Sequence, residues 1–185
     1  FTMKSTLLIL SLIFVLFISC FNQANSINTI LDIDIYDPKY NSLNYSIKDF
    51  EKIGFKISKK YDVSELPGAT SAFYGFWGLK QYERREYEIR IYPSNKKARS
   101  EGISFAEEAS GQDAIIKKSD ATWKEGVKDR RFVGPFGSSK NYPKYLDYLI
   151  WGNLIILCPS EKSEGVVGAS DPIENCKKLI KNLDY

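Results

Sequence analysis

The chain has 185 residues, 43% of them hydrophobic, 14% aromatic and 26% charged, with a formal net charge of +3. Twelve Gly and seven Pro are too few for a collagenous or low-complexity chain, and the aromatic content is too high for bulk disorder. With no histidine anywhere, Ser-His-Asp and Cys-His catalysis and His-ligated zinc or haem sites are excluded.

Near the N-terminus, Lys4 precedes an apolar run from Leu7 to Ile18 that only Ser11 interrupts. Twelve residues of helix span about 18 Å. A bilayer core requires roughly 20 residues, so the run has the shape of an export signal rather than a spanning helix. Phe17-Ile18-Ser19-Cys20 closes it. This quartet resembles the lipobox of bacterial lipoproteins, in which an apolar position and a small residue precede the cysteine to be lipidated. It departs from that pattern at Phe17 and Ile18, where Leu and then Ala or Ser are commoner. The resemblance implies a signal peptide over 1–19, acyl chains such as palmitate on Cys20, and a lipidated tether over 20–28. A single domain over 29–185 would then be anchored to a membrane of the cell envelope, outside the cytoplasm. A rival cleavage after Asn22-Gln23-Ala24 fits the small-x-small rule less well, because Asn22 is not small.

Setting Cys20 aside leaves Cys158 and Cys176, and an even pair in an exported chain reads as one disulfide, with two buried thiols as the alternative. Loss of Lys4 with the leader leaves 25 of the 26 basic residues against 23 acidic ones. The basic clusters Lys96-Lys97-Arg99, Lys117-Lys118 and Lys128 to Arg131 are interleaved with acids and read as solvated surface, so nucleic acid is not an expected partner.

Next in chain order, Leu31-Asp32-Ile33-Asp34-Ile35-Tyr36-Asp37 alternates as a half-buried strand does. Its aspartates lack the spacing of a calcium loop, because Tyr36 and Asp37 stand where an acidic or Asn residue and Gly are needed. Ser46 and Asp49 form a capping box for a short helix ending near Gly54. Ala69 to Trp77 and Arg85 to Tyr92 read as a hairpin. On its second strand Tyr87, Ile89 and Ile91 share one face, and Glu86, Glu88 and Arg90 share a face expected to be wet. Ser94 caps a helix reaching Ser110, with a thin stripe of Ala98, Ile103, Ala106 and Ala109. Residues 112–144 predict a short helix and a long surface loop around Gly134-Pro135-Phe136-Gly137. Tyr145 to Trp151 and Leu154 to Cys158 flank Gly152-Asn153 as a second hairpin, its later strand apolar on both faces. Asp171-Pro172-Ile173-Glu174 starts a last helix that turns Cys176 inward, toward Cys158. The whole predicts an α+β domain: an antiparallel sheet built from hairpins in strand–strand–helix order, helices mainly on one face, and one C-terminal disulfide.

Chemistry-bearing motifs are few. There is no G-x-S-x-G and no P-loop; Gly165 to Ser170 lies just before a helix but reads as a connector. Glu86 with Glu88, and Glu107 with Glu108, are the carboxylates that a hydrolase of envelope glycans would use, against a reading as ion-paired surface charge. Ala72-Phe73-Tyr74-Gly75-Phe76-Trp77 places rings on both faces of one strand. If a helix or the 112–144 loop does not cover them, Phe73, Tyr74, Phe76 and Trp77 form a platform for a sugar, lipid or protein, with Arg130 and Arg131 as its polar wall. No catalytic residue, metal or cofactor is assigned. The expected function is a non-enzymatic binding or accessory domain whose partners are the membrane, through the lipid, and a small ligand or envelope protein. The alternatives are the carboxylate hydrolase and a purely structural role. Apart from the lipobox, the chain resembles small bacterial lipoprotein domains without a known activity.

Overall fold

A computed structural model describes residues 33–133, 141–160 and 171–183. Among these, the strands are β1 (Lys56–Tyr61), β2 (Ser71–Trp77), β3 (Arg85–Ile91), β4 (Arg131–Val133), β5 (Asn141–Pro143), β6 (Tyr145–Trp151) and β7 (Leu154–Pro159). The helices are α1 (Ile47–Lys52), α2 (Asn95–Lys97), α3 (Ile103–Ala109) and α4 (Pro172–Ile180), with a π-helical turn at Ala98–Gly102 joining α2 to α3. The main sheet runs β1-β2-β3-β7-β6, antiparallel throughout, and β4 with β5 forms a separate ribbon.

The two expected hairpins, β2–β3 and β6–β7, meet along β3 and β7. The tight turn between β6 and β7 depends on Gly152, at φ +54°, where an added Cβ would sit 2.4 Å from the Leu43 carbonyl oxygen. Asn153 then ties the turn down. Its side chain accepts from Tyr45 N–H (2.7 Å) and donates to the carbonyls of Tyr45 (3.0 Å) and Tyr92 (2.8 Å). As its doubly apolar sequence requires, β7 is buried along its whole length.

Two elements differ from the sequence reading. Strand β1 was not anticipated: in Lys56–Tyr61 only Ile57 and Tyr61 are apolar, and every residue but Tyr61 is exposed. It is a lysine-rich edge strand, a composition that discourages pairing with another chain. The expected strand at 31–37 does not form where it is described. Leu31 and Asp32 lie outside the described residues, Ile33 to Tyr36 is coil and turn, and Asp37 accepts from Lys39 N–H (2.9 Å) to cap a 3-10 turn at Pro38–Ser42. Pro38 removes a ladder donor at the point where a strand would have continued.

Directly opposed residues of antiparallel strands share a face. One face carries Phe73, Tyr87, Ile89, Ile156 and Leu149 and lies against α4 and, at β2, against Ile53 and Phe55 of the segment that follows α1. There Trp77 Nε1 donates to the Ile53 carbonyl (3.0 Å) and the Tyr87 hydroxyl to the Asn175 carbonyl (3.2 Å). The disulfide Cys158–Cys176, Cα–Cα 5.5 Å, fastens α4 to β7. The opposite face carries Tyr74, Glu88, Arg90, Ile155 and Leu157. Ala98, Ala106 and Ala109 of the α2–α3 segment pack on Ile155 and Leu157, small side chains permitting close approach. Helices therefore cover both faces, α4 on one and α3 on the other.

The loop between α3 and β4 completes that second cover. It was expected on the surface with a short helix, but Ala121, Trp123, Val127 and Arg130 are buried, and its helical part is a 3-10 turn at Val127–Arg130. Among the described residues no helix is long and apolar enough to cross a membrane.

Candidate functional site

Alternation on β3 puts Glu86, Glu88 and Arg90 on one face, and that face was expected to be wet. It is covered instead: Glu88 and Arg90 are 0% exposed and Arg130 is 1% exposed. Three ionic groups so deeply buried must satisfy one another, since desolvation costs several kcal/mol per ion. Arg90 Nε lies 2.8 Å from Glu88 Oε1, and Arg130 grips the same carboxylate through Nε (2.8 Å to Oε2) and Nη2 (3.2 Å to Oε1). Arg130 Nη2 also donates to the Glu125 carbonyl (2.8 Å). Both guanidinium groups lie over the Trp123 ring, at 5.1 Å for Arg90 and 4.7 Å for Arg130. Trp123 is held in turn by its Nε1 donating to the Asp62 carbonyl (3.2 Å) and by the edge of Tyr61 (5.9 Å).

Burial alone would push the Glu88 carboxyl up, but Arg130 and Arg90 outweigh it and hold Glu88 below the ordinary carboxylate range. Burial also opposes the two guanidinium charges. Glu88 more than compensates for Arg130, whereas Arg90 stays below the usual arginine value. Consistent with that asymmetry, Arg90 Nη1 and Nη2 have no hydrogen-bond partner among the described residues.

The aromatic residues of β2 are divided between the two faces. Tyr74 and Phe76 stand beside Glu88 and Glu86 on the charged face, and Phe73 and Trp77 beside Ile89 and Arg85 on the other. Phe73, Tyr74 and Trp77 are buried and Phe76 half-buried, so the four rings are not an open platform. Arg130 faces inward and Arg131 is half-buried. Of the other candidate carboxylates, Glu107 is exposed, and Glu86 and Glu108 have partners. Glu86 pairs with the buried Lys144, whose Nζ lies 3.5 Å from the Tyr74 hydroxyl, and Glu108 accepts from Thr122 N–H (2.9 Å). Cys20 and the Gly165–Ser170 segment lie outside the described residues.

What the buried cluster does mechanically is anchor the Val127–Arg130 turn. Gly126, at φ +71°, leads into the turn beside Tyr61; an added Cβ would lie 2.8 Å from that ring. Asp129 accepts from the Tyr61 hydroxyl (2.7 Å) and from Lys59 Nζ (2.5 Å). Between this pinned turn and the edge strand β1 opens a cleft of about 430 Å³ lined by Lys59, Lys60, Lys118, Lys124 and Lys128, with Tyr61 in its wall. Glu125 and Asp129 also line it. Five lysines against two carboxylates leave three positive charges, as many as the net charge of the entire chain. Asp129 is taken by Lys59 and Tyr61, and Lys60, Lys118, Lys124 and Lys128 form no ion pair among the described residues.

Comparison with known families gives a match over residues 46–185, to a family of unknown function, DUF6810. The chain belongs to the DUF6810 family. No curated protein and no solved structure matches it. The DUF6810 match takes in every described strand, the Glu88 cluster, the lysine cleft and the disulfide; the apolar run at Leu7–Ile18 and Cys20 precede it. In this DUF6810 chain the cleft escapes a linear reading because its lysines come from three separated stretches, 59–60, 118 and 124–128. Two signals were present in the sequence: adjacent lysines on an otherwise polar edge strand, and an isolated Trp123 that needed something to cover.

Proposed function

We propose that this DUF6810 chain is an extracytoplasmic lipoprotein of the cell envelope whose domain binds a partner and does not catalyse. Residues 1–19 act as signal peptide, Cys20 carries the lipid, and residues 20–28 tether the domain to the membrane. The Cys158–Cys176 bond supports this compartment, because disulfides persist where the surroundings are oxidising. The lysine-lined cleft is the observation that carries the binding reading: it is a concave, charged site on a pinned frame. The carboxylates of β3 are committed to ion pairs, and Glu88 is shut away from solvent, which disfavours a glycan hydrolase built on them. A purely structural role would leave four lysines that form no ion pair among the described residues around one cleft without a purpose.

Metabolic labelling of the expressed chain with palmitate tests the anchor. Label is expected on the wild type and absent from Cys20→Ala; label that persists in the variant overturns the lipoprotein reading. For the non-catalytic half, Glu86→Gln should leave any activity toward envelope glycans at background, as in wild type. Glycan cleavage that the wild type shows and Glu86→Gln loses would reinstate the hydrolase.

A further inference from the structure

We propose that the cleft between β1 and the Val127–Arg130 turn binds a phosphate group carrying two or more negative charges, on either a soluble molecule or a lipid headgroup. This deepens the binding reading above and requires neither the lipid anchor nor a membrane. Like charges held around one cavity repel, and their mutual repulsion is relieved when a multivalent anion enters. Lys60, Lys118, Lys124 and Lys128 have no carboxylate partner among the described residues, so the cleft keeps its positive potential at neutral pH. Tyr61 and Val127 supply low-dielectric walls that concentrate that field.

The donor chemistry favours phosphate over carboxylate. Planar carboxylates are best matched by the two-pronged guanidinium of arginine, and the lining holds none. Ammonium groups on flexible stems are point charges that can approach a tetrahedral oxyanion from several sides. A cleft of about 430 Å³ falls in the range of small-ligand sites and admits a phosphorylated small molecule or headgroup. The frame is preorganised: Arg130 is locked onto Glu88 beneath the turn, and Asp129 is locked onto Tyr61 and Lys59 at its side. Binding therefore orders little beyond the lysine side chains themselves.

The test uses the full chain in neutral detergent micelles at low salt, titrated by calorimetry with inorganic triphosphate in one arm. In the other arm phosphatidic acid is added to the same micelles and binding is followed through the lysine resonances. The comparison variant is Lys60→Gln/Lys124→Gln/Lys128→Gln. A control, Lys48→Gln/Lys80→Gln/Lys96→Gln, removes the same charge from exposed positions outside the cleft. The wild type is expected to bind at least one probe, about tenfold or more tightly than the cleft variant, while the control stays within about twofold of wild type. Response in the first arm alone marks a soluble phosphate, and response in the second alone a headgroup. No binding of either probe overturns the proposal, as does equal weakening in both variants, which would report net charge alone. Loss of the anchor reading in the labelling experiment would leave this titration unchanged.

Discussion

The two faces of the sheet are built from opposite materials. Beneath α4 the cover is apolar and covalent: Cys176, Leu179 and Ile180 are buried on β7, and a disulfide holds them. Beneath the loop before β4 the cover is held by charge, one carboxylate between two guanidiniums stacked on Trp123. An apolar contact is non-directional and tolerates repacking, whereas a buried ion cluster demands every partner in place. The first face thus secures a helix against the sheet. The second fixes one loop in one position, and that loop frames the lysine cleft.

The largest effect should come from breaking the charged face. Glu88→Gln leaves two buried guanidiniums without their counter-charge and should cost about 3–5 kcal/mol, measured by denaturant unfolding. Replacing all three members together, as Glu88→Leu/Arg90→Met/Arg130→Met, should recover much of that loss, because an apolar cluster has no desolvation penalty. If the triple variant is less stable than Glu88→Gln alone, the charged cover is not the demanding one and the comparison fails.

Next in size is the covalent face. Cys158→Ala/Cys176→Ala should cost about 3 kcal/mol, the chain-entropy value for a loop of this order. Its residues lie 18 apart in sequence. Hydrogen exchange should then show α4 losing protection while residues 121–130 keep theirs, separating the two covers. The smallest effect sharpens the geometry of the loop. Gly126→Ala forces a side chain into the left-handed region and against Tyr61, and should cost about 1–3 kcal/mol. Its loss of protection should be confined to 121–130.

The apolar face was legible because its signals are local. A cap, a proline and an apolar period announce α4; a glycine turn between two apolar runs announces β6–β7; the even pair Cys158 and Cys176 announces the disulfide. The charged face was not, and the reason is specific. Alternation shows that Glu88 and Arg90 share a face but not whether something covers it. Their cover comes from Arg130, 42 positions from Glu88, on a segment with no periodicity. The same gap left the surroundings of the β2 rings open: strand alternation placed them on both faces, where they are, and only the cover determined that Tyr74 lies in the core. Strand β1 hid for a different reason, since an edge strand dressed in lysines carries almost no apolar signal.

The most direct test of the charged face is the titration of the Glu88 carboxyl by carbon NMR. Burial raises that pKa and the guanidiniums of Arg130 and Arg90 lower it further than burial raises it, so the folded value lies below the unfolded one. A carboxylate depressed in this way stabilises the fold above its unfolded pKa of about 4.3, and the stabilisation is lost as pH falls through the folded value. The account predicts a midpoint below the ordinary glutamate range, with the Arg130 Nε and the 127–130 amides moving at the same pH as stability is lost. A midpoint at or above the ordinary range, or a loop that does not respond to it, would contradict the account.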